Sequence, residues 1–323
     1  MAVIGTWNLE NLYRPGGEFG PPDEQTYDAK LDAIAAVIDD LAPDLLGVQE
    51  VGDPQALTDL AARLDGGPWH TAVSGHPDSR GIRVGFLSRL PLTVLADTDA
   101  LPPGLLPVQV DDTLPAAGRM GRGALAVRVE PAPGRPLDVA VVHLKSKLLS
   151  YPGGRFGPRD EGERARYGAY AIFRRAAEAA AVRVLADALL DGEGRSRDIA
   201  VLGDLNDEPS AATTQILLGP PGSEIGTPAF DHPAFDHPDS GDAARLRNLA
   251  PRIPDDQRYS RVYRGRHELI DHILVSHALL ARVDAVFTAA AATPPPSVAD
   301  DPAAASGTVR ASDHVPVLAR LNY

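Results

Sequence analysis

The chain has 323 residues, 44% of them hydrophobic, enough for a sizeable core. Its 44 acidic residues outnumber 31 basic ones and leave a formal net charge of -13. That balance opposes tight sequence-independent binding to a polyanion, which draws on cations that displace counterions. With no cysteine, disulfides, thiolate metal sites and cysteine nucleophiles are excluded. A metal would have to be held by oxygen and imidazole, donors that suit magnesium, manganese or calcium.

Residues 3–9 read as a buried strand, followed by a Gly/Pro/acidic loop over 13–28. Leu31, Ile34, Ile38 and Leu41 recur at helical spacing until Pro43 stops them, and 45–48 is the next strand. Leu57, Leu60, Ala61 and Leu64 mark a second helix. Strand-like runs follow at 82–87, 124–129 and 137–142, the last two joined as an antiparallel hairpin. The longest helical stretch, 164–190, is rich in Ala and Arg. Later strands are expected at 199–202, 269–275 and 315–321, with a helix over 211–218. Segments 97–118, 147–165, 219–256 and 289–308 read as surface insertions. The repeated Asp231-His232-Pro233 and Asp236-His237-Pro238 is too short to be a structural unit, and it reads as a solvated loop before it reads as a second metal site.

The first residues show no basic start, long apolar segment or cleavage site, so the expected location is cytoplasmic. Nothing approaches the roughly 20 uninterrupted apolar residues of a membrane span.

Polar clusters stand at the ends of the apolar runs: Trp7-Asn8-Leu9-Glu10, Gln49-Glu50, His143-Leu144-Lys145-Ser146, Gly203-Asp204-Leu205-Asn206, Ile270-Asp271-His272 and Ser312-Asp313-His314. Strand ends can converge, and this set of carboxylates, carboxamides and imidazoles is what a divalent metal and a phosphate ester require. Alternation sends Asn8 and Glu10 to one side of their strand, and Asp204 and Asn206 to one side of theirs. Glu50, after so apolar a strand, must either emerge into a cleft or be paired. Asp271 follows the same logic and needs a partner, whereas alternation turns His272 toward packing. Asp207 and Glu208 read as acids at a helix N-terminus. Trp7 reads as core.

In content and order these clusters resemble the endonuclease/exonuclease/phosphatase superfamily, the DNase-I-like metal-dependent phosphoesterases, from Trp7 to His314. The resemblance implies a four-layer α/β/β/α sandwich, two packed mixed sheets with outer helices, spanning 1–323 as one domain. It implies that Glu50, with Asn8 and Asp313, holds Mg2+ or Mn2+, Ca2+ being the third candidate. It assigns Asp204 to activating water, Asn206 to orienting it, and His143, Asp271 and His314 to the phosphate. Arg122 and Lys145 would contact substrate, with Arg80, Arg83, Arg119 and Arg159 unranked beside them. The implied activity is metal-dependent phosphodiester hydrolysis by a monomer, DNase-like with DNA or RNA as substrate. Its rivals are a phospholipid headgroup, an inositol phosphate, or a catalytically silent binder of phosphorylated ligands.

Overall fold

A computed structural model describes residues 1–112, 116–155, 157–219, 240–291, 297–298 and 310–323. In chain order the elements are β1 (Ala2–Leu12), α1 (Glu24–Leu41), β2 (Leu45–Val51), α2 (Pro54–Ala61), β3 (His70–Val73), β4 (Arg83–Ser88), β5 (Thr93–Ala100), β6 (Arg119–Ala132) and β7 (Arg135–His143). There follow α3 (Glu161–Leu190), β8 (Asp198–Asp204), α4 (Ala212–Leu218), β9 (Arg247–Asn248), β10 (Arg261–Tyr263), β11 (Arg266–Glu268), β12 (Asp271–Val275), α5 (His277–Leu280), β13 (Val283–Thr288), β14 (Ser297–Val298) and β15 (Val317–Leu321).

One six-stranded sheet runs β13-β15-β1-β2-β4-β3 and the other β5-β6-β7-β8-β12-β9, with β11-β10-β14 as a small third sheet. Within the large sheets the parallel pairs are β1 with β2 and β7 with β8, and both lie at the centre. Their strand ends therefore leave the sheets in one direction each, which gathers the residues at those ends.

Three apolar layers follow from strand alternation. Ile4, Leu45, Val84 and Phe86 of the first sheet face Leu125, Val139, Val141, Leu202 and Ile273 of the second. Neighbours of opposite parity, Trp7, Leu46, Val48 and Leu87, pack outward on Leu31, Ile34 and Ile38 of α1 and Leu57 and Leu60 of α2. On the far side, Ala126, Ala140, Val142 and Val201 meet Val182, Leu185 and Ala186 of α3 and Leu217 of α4. The result is the expected α/β/β/α sandwich. Gly47 marks a close approach of the sheets, since a Cβ there would lie 2.2 Å from Leu202 Cδ1.

The caps explain the helix starts: Asp23 accepts from Thr26 N at 2.8 Å ahead of α1, and Asp160 accepts from Glu163 N at 2.8 Å ahead of α3. Both helices thus begin earlier than their apolar periodicity shows. Two insertion boundaries are corrected. Residues 97–100 belong to β5 and pair with β6, and Arg247–Asn248 within 219–256 pairs with β12. These stretches are polar because they lie toward sheet edges, where one face meets water. Residues 220–239, with His232 and His237, and most of 289–308 lie outside the described residues. No helix among the described residues is long and apolar enough to cross a membrane.

Candidate active site

Three adjacent strands of the second sheet deliver one row of side chains. His143 at the end of β7 is in register with Asp204 at the end of β8, and Asp204 is in register with Asp271 at the start of β12. The strand turns out of the sheet at Gly203, whose φ of +148° and a would-be Cβ 2.0 Å from Val142 O admit no side chain. His143 Nε2 lies 3.3 Å from Asp204 Oδ2, both side chains buried. Asn206, with φ 54°, leaves the strand instead of alternating along it. Its N–H donates to Asp204 Oδ1 at 2.8 Å and its carboxamide donates to Leu144 O at 3.0 Å.

From the first sheet, Asn8 reaches across. Its Nδ2 donates to Asp204 Oδ2 at 3.1 Å and to Glu50 Oε1 at 3.3 Å, so one carboxamide bridges the exits of β1, β2 and β8. Glu50 Oε2 also accepts from Asn11 N at 2.9 Å. Glu10, Asn11, Glu50 and Asn206 all have φ between 51° and 61°. Left-handed backbone costs a non-glycine residue on the order of 1–3 kcal/mol and persists where its surroundings impose it. The structure thus concentrates backbone strain where the polar clusters meet.

The last member comes from the C-terminal segment. His314 Nδ1 sits 2.6 Å from Asp271 Oδ2. Trp7 Nε1 donates to His314 O at 2.9 Å, and the Ser312 hydroxyl donates to Asn8 O at 2.6 Å while accepting from His314 N at 3.0 Å. Ligand atoms of Asp204, Asp271 and His314 lie within 4.8 Å of one another. Burial works against charge on His314, but the charges of Asp271, Asp313 and Asp204 outweigh it and raise the imidazole to about 10. Burial, then the Asp271 charge, lift Asp204 to about 7. Burial also pushes His143 well below the ordinary imidazole value, helped by the Arg122 charge. The site therefore pairs a cationic imidazole with a neutral one.

These donors fit a hard divalent cation: carboxylates, a carboxamide and imidazoles, with no thiolate. Among the described residues, the buried Asp271 Oδ1 has no hydrogen-bond partner, so an acceptor stays available within the group.

The sequence matches the endonuclease/exonuclease/phosphatase family over residues 5–314. The chain belongs to that family. It is accordingly a hydrolase acting on phosphoester bonds, in a family whose members depend on divalent metals. A search of curated proteins by sequence returned no match. Among solved structures, Caenorhabditis elegans TDP2 aligns at 13% identity with a TM-score of 0.54, over 98% of this chain and 74% of that one. The Bacteroides thetaiotaomicron mannosyl-6-phosphatase aligns at 15% identity with a TM-score of 0.54, over the whole of both chains. A 3′ phosphatase, NExo, from Neisseria, bound to a product DNA hairpin, aligns at 18% identity with a TM-score of 0.52, again over all of both. At such identity these likenesses show the fold.

Around this cluster, some side chains lie differently from the strand pattern. Glu10 does not share a face with Asn8: its left-handed backbone turns its carboxylate onto Arg310, at 2.6 and 3.0 Å. Asp313 Oδ2 lies 3.7 Å from Arg261 Nε. Arg122 is tied to Asp78 Oδ2 at 3.4 Å and to Leu144 O at 3.2 Å, beside His143. Lys145 Nζ donates to Ser146 O, Ser146 Oγ and Leu148 O, which uses all three of its donors. Asp207 does not cap the α4 backbone; its Oδ2 accepts from Thr213 Oγ1 at 2.7 Å and Arg175 Nε at 3.2 Å. His272 packs as expected, its ring nitrogens at 2.9 Å from Asp207 O and 3.2 Å from Asn248 Nδ2.

The motif reading missed Ser260, Glu178 and Arg175. The Ser260 hydroxyl accepts from the N–H groups of Ile270 and Asp271. Glu178 takes Gly121 N at 2.8 Å and Lys145 N at 2.7 Å, and Arg175 donates to Lys145 O at 2.9 Å. Buried charge on an Ala-rich helix was the available signal, because a buried ion needs partners.

Proposed function

We propose that this chain is a metal-dependent phosphodiesterase acting on nucleic acid, one domain over its 323 residues. The observation that carries the catalytic reading is the continuous contact Glu50–Asn8–Asp204–His143, with Asp271–His314 packed against it. Glu50, Asn8 and Asp313 would hold Mg2+ or Mn2+. Such an ion would supply charge neutralisation and polarisation at a phosphoryl oxygen. Asp204 takes the proton from the attacking water, and Asn206 fixes the orientation of that carboxylate through its N–H. The His314 imidazolium, oriented by Asp271, stabilises charge gathering on phosphorus, and His143 shares that task from the opposite side of Asp204. Arg122, anchored beside His143, lends positive charge where a diester's phosphate would sit, and Lys145 adds charge through the loop it orders.

Nucleic acid is favoured over other esters by the placement of Arg122 next to the His143 strand end, and by the DNA hairpin seen in the Neisseria relative. The acidic surface limits binding to local contacts. Hydrolysis of bis-p-nitrophenyl phosphate with Mg2+ or Mn2+, and its loss in EDTA, tests the chemistry. Plasmid DNA, single-stranded oligonucleotides, RNA, sphingomyelin and inositol phosphates in the same assay test the substrate. Turnover confined to the last two would overturn the nucleic-acid reading, and absence of chelator-sensitive turnover would overturn the enzyme assignment of these residues.

A further inference from the structure

We propose that Glu10 is a positioning residue that sets metal affinity, by locking the exit of β1 between Lys30 and Arg310 so that Asn8 and Glu50 are held for a cation. This rests on the assignment of Asn8 and Glu50 as ligands.

Every polar group of Glu10 is engaged. Its N–H donates to Asn8 Oδ1 at 3.0 Å, its carbonyl accepts the Lys30 ammonium, and its carboxylate takes the Arg310 guanidinium at 2.6 and 3.0 Å. The N–H contact orients the Asn8 carboxamide oxygen directly. The other two hold Glu10, beside Asn11, in consecutive left-handed conformations, φ 51° and 56°, a region that asparagine adopts readily and glutamate does not. That double turn aims Asn11 N at Glu50 Oε2, 2.9 Å away.

Arg310 extends the brace to the other half of the site. It lies two residues before Ser312, whose hydroxyl holds Asn8 O and His314 N. Lys30, half-buried on α1, feels the charges of Glu10, Glu50 and Asp313. Losing the Glu10 carboxylate would free Arg310, leave the Lys30 contact with the Glu10 carbonyl as the single remaining cationic tie, and let the β1 exit relax toward ordinary extended backbone. Asn8 and Glu50 would then lose the geometry that makes them ligands.

The test is calorimetric titration of Mn2+ into the full chain without substrate, for wild type, Glu10→Gln, Arg310→Ala, the double variant and Glu50→Gln. Glu10→Gln and Arg310→Ala should each weaken Mn2+ binding by roughly 10–100-fold, the range seen when outer partners of metal ligands are removed. The double variant should be no worse than the singles, because both remove one brace. Arg310→Lys should recover part of the affinity. Mn2+ affinity within twofold of wild type in Glu10→Gln and Arg310→Ala, with Glu50→Gln abolishing binding, overturns the positioning role alone. Binding unchanged in Glu50→Gln overturns the ligand assignment beneath it. Loss of binding in Glu10→Gln with none in Arg310→Ala makes Glu10 a direct ligand and also overturns the inference. Should Glu10→Gln fail to fold, Arg310→Ala decides the same question, since that side chain is 39% exposed and the Glu10 carboxylate it leaves is still in reach of water.

Discussion

Asp271 and His314, 43 residues apart in the chain, meet with 2.6 Å between Oδ2 and Nδ1, both side chains almost wholly buried. The carboxylate overcomes the burial that opposes imidazole charge and raises His314 to about 10. An unfolded chain would titrate this ring near 6.5. The stabilisation is therefore fully present below about pH 6.5 and fades as pH climbs toward about 10. In metal-free protein, NMR of the ring should show it protonated at pH 8, and Asp271→Asn should bring its titration down into the ordinary range. A wild-type ring that titrates near 6.5 would refute the pairing as drawn.

Asp204 touches more of the site than any other carboxylate there, through Asn8, His143 and Asn206. Asp204→Asn keeps the size and one of the two acceptor oxygens but removes the proposed base. Its kcat on bis-p-nitrophenyl phosphate should fall by about 10²–10⁴-fold, the usual contribution of a positioned proton acceptor. Circular dichroism and the thermal midpoint should change little. Unimpaired turnover would take the base role away from this residue.

Removal of metal and removal of the fold should be separable events, since Asn8, Glu50, Asp204 and Asn206 are joined by direct hydrogen bonds of their own. EDTA should abolish turnover while near-UV circular dichroism persists. Mn2+ at about 100 times its dissociation constant should stabilise wild type by about 2.7 kcal/mol, a gain that Glu50→Gln should lack.

Gly203 permits the strand to turn where Asp204 begins. Gly203→Ala places a methyl 2.0 Å from Val142 O in a backbone region closed to alanine. Urea denaturation should show a loss of about 3 kcal/mol or more. Gly17→Ala, with open space around its Cα, should be nearly neutral. Equal stabilities for the two would contradict the packing at β7–β8.

Lys145 is depressed to about 8, by burial first and then by the charges of Arg122 and Arg174. A cation so disfavoured costs stability while it is protonated, and the cost is relieved as pH rises from about 8 toward the unfolded value of about 10.4. Wild type should gain on Lys145→Met over that interval in paired denaturant melts. The variant, having lost the bonds to Ser146 and Leu148, should also be cut faster by protease within 146–155. Identical cleavage would show that the ammonium does not order this loop.

The central strands were legible because Leu45–Val51, Arg135–His143 and Asp198–Asp204 are buried on both faces and read as unbroken apolar runs ending in polar residues. The edge strands β3, β5 and β13 were not, since His70–Val73 and Thr93–Ala100 are half-exposed and lack a clear alternation. Glu10 shows the limit most clearly. Its position two residues after Asn8 implied a shared face, and only the contacts of Lys30 and Arg310, 20 and 300 residues away, explain a left-handed backbone there.

The order of the polar clusters, and the apolar runs before them, were determined by the amino-acid sequence alone, because local hydrophobic patterning fixes which residues end a buried strand. Tertiary structure decided which of those residues face one another. Strand register set His143, Asp204 and Asp271 in one row, and the packing of two sheets brought Asn8 and Glu50 to meet them. Register and sheet packing are sums over many distant contacts, so no single stretch of chain contains them.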